Sequence, residues 1–240
     1  MYDATRELFG SYSFASQSVI MAALNNGLVD MAKEYAVAFK ESGAIVPSKA
    51  LLRFLHIGIN AGDVETAEFG HQHYLEEIAR LNAFTIDRVK ERNTKIESGE
   101  EEGPIRDISQ LQSTSSPRSP FFHTMTACMR VLQGDVPAAT AALNDLVIIQ
   151  SAMIASNGGA PSDAEIARIN ANVIDLLTRW PKTLYGSGYD AKPRDELRDA
   201  LKSAIAGVTE PSVKDLLSAF DVDAAFAENV DATASEASSE

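Results

Sequence analysis

The sequence predicts an all-α fold: an α-solenoid of helix-turn-helix repeats, with extra helices at the C-terminal end. Three observations predict it. The 240-residue chain is 45% hydrophobic yet holds only 14 glycines and 9 prolines, and many of its apolar residues are alanines, which lose no side-chain entropy in a helix. Apolar residues recur at helical spacing along most of the chain. A short motif also recurs: Gly27-Leu28-Val29-Asp30-Met31-Ala32, Gly62-Asp63-Val64-Glu65-Thr66-Ala67 and Gly134-Asp135-Val136-Pro137-Ala138-Ala139. In each copy valine stands two places after glycine and alanine five places after it. Gly62 follows Gly27 by 35 residues and Gly134 follows Gly62 by 72, close to twice the first interval.

The motif reads as the turn of a helical hairpin. Glycine takes the left-handed conformation that ends one helix, and the next helix begins at once. Asp63 and Asp135 suit the start of that helix as a cap or first-turn acid. The alanine is small where paired helices approach. The first hairpin carries Val19, Ile20 and Ala23 before its turn and Ala32, Tyr35, Ala36 and Phe39 after it, and Ser42-Gly43 and Pro47 close it. The second carries Leu51, Leu52, Leu55 and Ile59, then Ala67, Leu75 and Ile78. Its second helix meets no breaker from Val64 to about Lys95, roughly twice the length that a repeat needs.

Residues 97–120 read as a flexible insertion. Glu97, Glu100, Glu101 and Glu102 precede Gly103-Pro104, and a run of Ser, Thr and Pro follows from Ser113 to Pro120. That composition cannot build a core. The third hairpin carries Met125, Cys128, Met129 and Leu132, then Ala139, Ala142, Leu143 and Leu146. Residues 1–156 thus form the repeat region, and 157–220 add helices that continue the solenoid. Ser162 and Glu165 have capping-box spacing. Ile166, Ile169, Val173, Leu176, Leu177 and Trp180 follow at helical intervals until Pro181 stops the run. Leu197, Leu201 and Ile205 mark one further helix, ending at Gly207, and Val213, Leu216, Leu217 and Phe220 mark the last. Residues 221–240 read as an acidic, disordered tail.

Candidate chemistry is sparse. His71 and His73 lie two apart, so on a helix they point about 200° apart and make no metal pair. Cys128 falls on an apolar stripe and reads as a buried, inert thiol; as the lone cysteine it excludes an intrachain disulfide. Gly158-Gly159 and Gly186-Ser187-Gly188 lack the lysine and strand context of a phosphate loop. No catalytic residue, cofactor or metal is therefore expected. Arg88, Lys90, Arg92 and Lys95 form the densest basic cluster. It either complements a helix C-terminus or contacts RNA phosphates or an acidic partner.

The net charge of −13 opposes binding to phosphate backbones, so no DNA partner is expected. No apolar run approaches the roughly 20 residues that span a bilayer, so no membrane insertion is expected either. Met1 to Glu7 shows no signal-peptide core or transit character. The expected location on the residues alone is cytoplasmic, unless a targeting segment lies outside this sequence.

Paired helices at a 35-residue period resemble the pentatricopeptide-repeat (PPR) family, with the 34-residue tetratricopeptide-repeat (TPR) family as the competing likeness. The likeness is clearest over 14–83, with a third copy near 121–155. It implies a mitochondrial location and a role around RNA processing, stability, translation or ribosome structure. In PPR proteins one base is read per repeat by two side chains. The corresponding pairs here are Ser18 with Ser48, Arg53 with Ala83, and Met125 with Ala155, and only Ser18 is of a typical reading type. The expected function is therefore a non-enzymatic scaffold for a protein or ribonucleoprotein partner. The alternative is an organellar RNA-binding factor.

Overall fold

A computed structural model of the chain describes residues 13–44, 46–108, 119–146 and 162–227. Among them all regular structure is helical, without strands, as expected. The helices are α1 (Ser13–Asn25), α2 (Val29–Glu41), α3 (Ser48–Ala61), α4 (Val64–Glu97), α5 (Pro120–Gln133), α6 (Val136–Asn144), α7 (Asp163–Gly186), α8 (Arg194–Ala206), α9 (Pro211–Ser218) and α10 (Val222–Phe226).

The repeated motif folds into three hairpin turns with one local geometry. Gly27, Gly62 and Gly134 have φ of 72°, 71° and 79°, the left-handed region that a side chain resists. Val29, Val64 and Val136 each open the following helix. Asp63 and Asp135 cap their helices by accepting the backbone N–H of Thr66 and Ala138, both at 3.0 Å. Ala32, Ala67 and Ala139 are fully buried where α1 meets α2, α3 meets α4, and α5 meets α6. The α3–α4 pair is the tightest. A Cβ on Gly58 would stand 2.3 Å from the Ala67 nitrogen, and one on Gly70 would stand 2.4 Å from the Leu55 nitrogen.

The first helices of the hairpins form a row, with α1 on α3 and α3 on α5. The C-terminal helices do not simply add another hairpin to this row. α7 lies across it, packing on both α3 and α5. The Trp180 indole donates to the Ile59 carbonyl at 2.9 Å, and the Ser187 hydroxyl donates to the Asn60 carbonyl at 3.2 Å. α8 packs instead on α5 and α6, where the Thr140 hydroxyl donates to the Ala204 carbonyl at 3.0 Å. Asn144 then accepts the Thr209 and Glu210 backbone N–H groups at 2.9 and 3.2 Å. α10 rejoins α7 and α8, and Phe226 meets Trp180 edge-on at 6.2 Å.

Three boundaries differ from the sequence reading. Pro181 does not stop its helix: α7 runs on to Gly186 with Pro181 inside it. Leu184, fully buried one turn later, holds the helix through packing that outweighs one lost backbone hydrogen bond. The tail does not begin at Asp221. Its carboxylate caps α10 by accepting the Ala224 N–H at 3.0 Å, and Ala225 and Phe226 are buried. Residues 228–240 lie outside the described part. Within the insertion, residues 98–108 fold back along α4. The Asn93 side chain donates to the Arg106 carbonyl at 2.8 Å and accepts the Arg106 N–H at 3.0 Å. Residues 109–118, with Ser116-Pro117, are outside the described residues, and α5 starts at Pro120, whose missing N–H costs nothing in a first turn.

Candidate functional site

The basic cluster sits on the distal half of α4 and is compensated by its neighbours. Lys90 pairs with Asp87 at 3.5 Å, Arg92 with Glu101 at 3.7 Å and Lys95 with Glu91 at 3.0 Å. The Arg88 guanidinium lies 5.8 Å from the centre of the Phe84 ring. Three of the four cations thus have an acid at hand, two of them on α4 itself. Such exposed pairs add little to stability, but they offset much of the local positive field that would attract a phosphate backbone.

A second place, not marked by any motif in the sequence, is a cleft of about 650 Å3 between the row of first helices and α7. Its floor and walls are apolar: Met21 from α1, Leu52 and Ile59 from α3, Phe121 and Met125 from α5, and Leu176 and Trp180 from α7. Lys49, Arg53, His56 and Asn60 border it from α3. These four are spaced 4, 3 and 4 apart, so they form a single polar stripe along one helix face. Asn172, Asp175, Arg179 and Thr183 face them from α7. The signal was present in the sequence as this stripe on α3 and its counterpart on α7. Nothing in either segment alone says that the two face each other.

The polar stripe has a defined hydrogen-bond order. Arg53 Nη1 lies 3.0 Å from His56 Nδ1, and Asn60 Nδ2 lies 3.1 Å from His56 Nε2. A guanidinium can only donate, so Nδ1 is the unprotonated, accepting nitrogen. Nε2 then carries the proton of the neutral ring, beside the Asn60 amide. Burial, and next the Arg53 charge, hold His56 below its usual pKa, which keeps this ring neutral. Arg179 is held by Asp175 at 2.7 Å.

Of the residues placed for base reading in a PPR-like reading, Arg53 and Met125 line this cleft, Ser18, Ser48 and Ala83 do not, and Ala155 lies outside the described residues. Met125 lies under α7, only 3% exposed. The other candidates for chemistry do not line this cleft. Cys128 is fully buried, and burial pushes its thiol well above the ordinary range. His73 is bound up with Lys40 and Glu76. His71 stacks on Phe122 at 5.1 Å, and Tyr74 stacks on the same ring at 4.7 Å. Burial, then the nearby Arg130, push His71 down to about 4.

This fixes a pH dependence. The folded pKa of His71 lies below its unfolded value of about 6.5, so the unfolded chain binds more protons in the window between them. Stability from this group is therefore full above about pH 6.5 and is lost as the pH falls towards 4. With allowance for partial exposure, the loss is roughly 1–2 kcal/mol. His56 and His73, also shifted down, add to it. Urea titrations at pH 7 and pH 5 should show the difference, and it should shrink in His71→Gln. An unchanged difference would remove His71 as its source.

No protein-family model, curated protein or solved structure was found to match this chain.

Proposed function

We propose that the chain is a non-enzymatic helical-repeat scaffold of α-solenoid type, resembling PPR and TPR proteins, whose partner is a protein or a ribonucleoprotein particle engaged through its protein part. The carrying observation is the three hairpins of one local geometry, stacked through their first helices. Stacked repeats of this kind present extended surfaces suited to binding. Two further observations favour protein over direct RNA contact. α7 packs on α3 and α5, and Met125, one of the positions aligned with base reading, is only 3% exposed there. The basic cluster Arg88, Lys90, Arg92 and Lys95 is largely neutralised by acids. The mitochondrial setting rests on the family resemblance.

Tagged chain recovered from cells, with and without RNase, tests this reading. Partners should persist after RNase. A mobility-shift titration with mixed-sequence RNA at physiological salt should show no tight complex. A tight, sequence-selective complex would overturn the scaffold reading. It would favour the organellar RNA-binding alternative, especially if Arg88→Glu with Arg92→Glu abolished it. In the scaffold reading those two reversals leave partner recovery intact.

A further inference from the structure

We propose that the cleft between α3 and α7 binds a small organic anion: an apolar body of ligand size ending in one carboxylate or a comparable acidic group. The volume of about 650 Å3 lies within the range of sites that take small molecules, typically about 300–1,000 Å3. Its apolar lining comes from four helices, so a ligand's body would be covered from several sides.

The sign of the ligand follows from the charges at the cleft. Arg179 is matched by Asp175 at 2.7 Å. Arg53 leans on His56, a neutral ring that fixes the guanidinium without cancelling its charge. Lys49 meets no carboxylate among the described residues. Lys49 and Arg53 are four residues apart on α3 and therefore neighbours. Two neighbouring cations with no carboxylate partner among the described residues stand out in a chain of net charge −13, where repulsion would keep anions off most of the surface. A guanidinium held at one nitrogen still offers its other N–H donors, in the fork that matches a carboxylate. The apolar end of the ligand then lies towards Ile59 and Trp180. This assignment concerns a small molecule and stands apart from the macromolecular partner proposed above.

The test uses the purified full chain and two fluorescent probes with nearly the same apolar body. Anilinonaphthalene sulfonate is anionic, and phenylnaphthylamine is neutral. Trp180 is the only tryptophan and lines the cleft, so energy transfer from it reports binding at this place. The expected result is saturable one-to-one binding of the anionic probe with energy transfer, displaced by decanoate. Lys49→Glu with Arg53→Glu should weaken the anionic probe about tenfold or more and leave the neutral probe within about twofold. Leu52→Asp should weaken both. Thermal melts that match the parent chain show that the charge variants are folded. Three results would overturn the proposal: no saturable binding, equal loss of both probes in the charge variant, or displacement by an acidic apolar peptide but not by decanoate. None of these bears on the partner recovery that tests the scaffold reading.

Discussion

Trp180→Ala should lower the unfolding free energy by about 3–5 kcal/mol, the cost of truncating a large aromatic side chain in a core. That is a large fraction of the roughly 5–15 kcal/mol that holds a domain together. Trp180 is 2% exposed, closes the contact of α7 with α3 and meets Phe226. Its removal leaves a cavity and also strips the Ile59 carbonyl of its donor. Trp180→Phe separates the two effects, since it keeps a ring but not the N–H. It should cost about 1–3 kcal/mol, the desolvation of an unpaired polar group, plus the smaller volume lost. Urea unfolding followed by circular dichroism measures both without relying on tryptophan emission. A loss below about 1 kcal/mol for Trp180→Ala would mean that α7 is not docked as described.

Gly58→Ala and Gly70→Ala should each destabilise by about 1–3 kcal/mol, the usual cost of overpacking, and by more where backbone must move. In an exposed helix the same change stabilises by roughly 1 kcal/mol, so the sign itself is diagnostic. The new Cβ of Gly58→Ala would meet the backbone and Cβ of Ala67, and that of Gly70→Ala would meet the Leu55 nitrogen and the Leu51 carbonyl. None of these is the end of a flexible side chain, so α3 and α4 must separate. Gly186 is the control. It ends α7 with nothing within 4 Å of its Cβ position, and Gly186→Ala should be neutral or slightly stabilising in the same titration.

Several elements were legible because their signals are local. The turns at Gly27, Gly62 and Gly134 follow from glycine's freedom and the residues beside it, and the Ser162–Glu165 capping box forms as its spacing predicts. The long α4 was legible too, since nothing between Val64 and Glu97 breaks a helix. Local signals failed where packing outweighed them. Pro181 marks a stop in isolation, yet Trp180 and Leu184 are anchored on either side of it. Asp221 to Phe226 reads as part of an acidic tail, yet burial of Ala225 and Phe226 folds it. Asn93 is one polar residue among many on α4, and only the return of the chain to Arg106 gives it partners.

The candidate site divides in the same way. The basic cluster was visible as a run of like charges, but its compensation was not, because Glu101 reaches Arg92 from beyond the end of α4. The stripe of Lys49, Arg53, His56 and Asn60 is written in the sequence at helical spacing. That it borders a cleft depends on α7, more than 100 residues further along, crossing α3 and α5. By itself the sequence determined that the chain is helical, where its hairpins turn and which faces are apolar, since these depend on each residue's neighbours within a turn or two. The tertiary structure alone decided which apolar faces meet. Many pairings bury similar area, and the choice rests on fit: glycines at 58 and 70 that let two backbones approach, and one indole N–H that finds the Ile59 carbonyl.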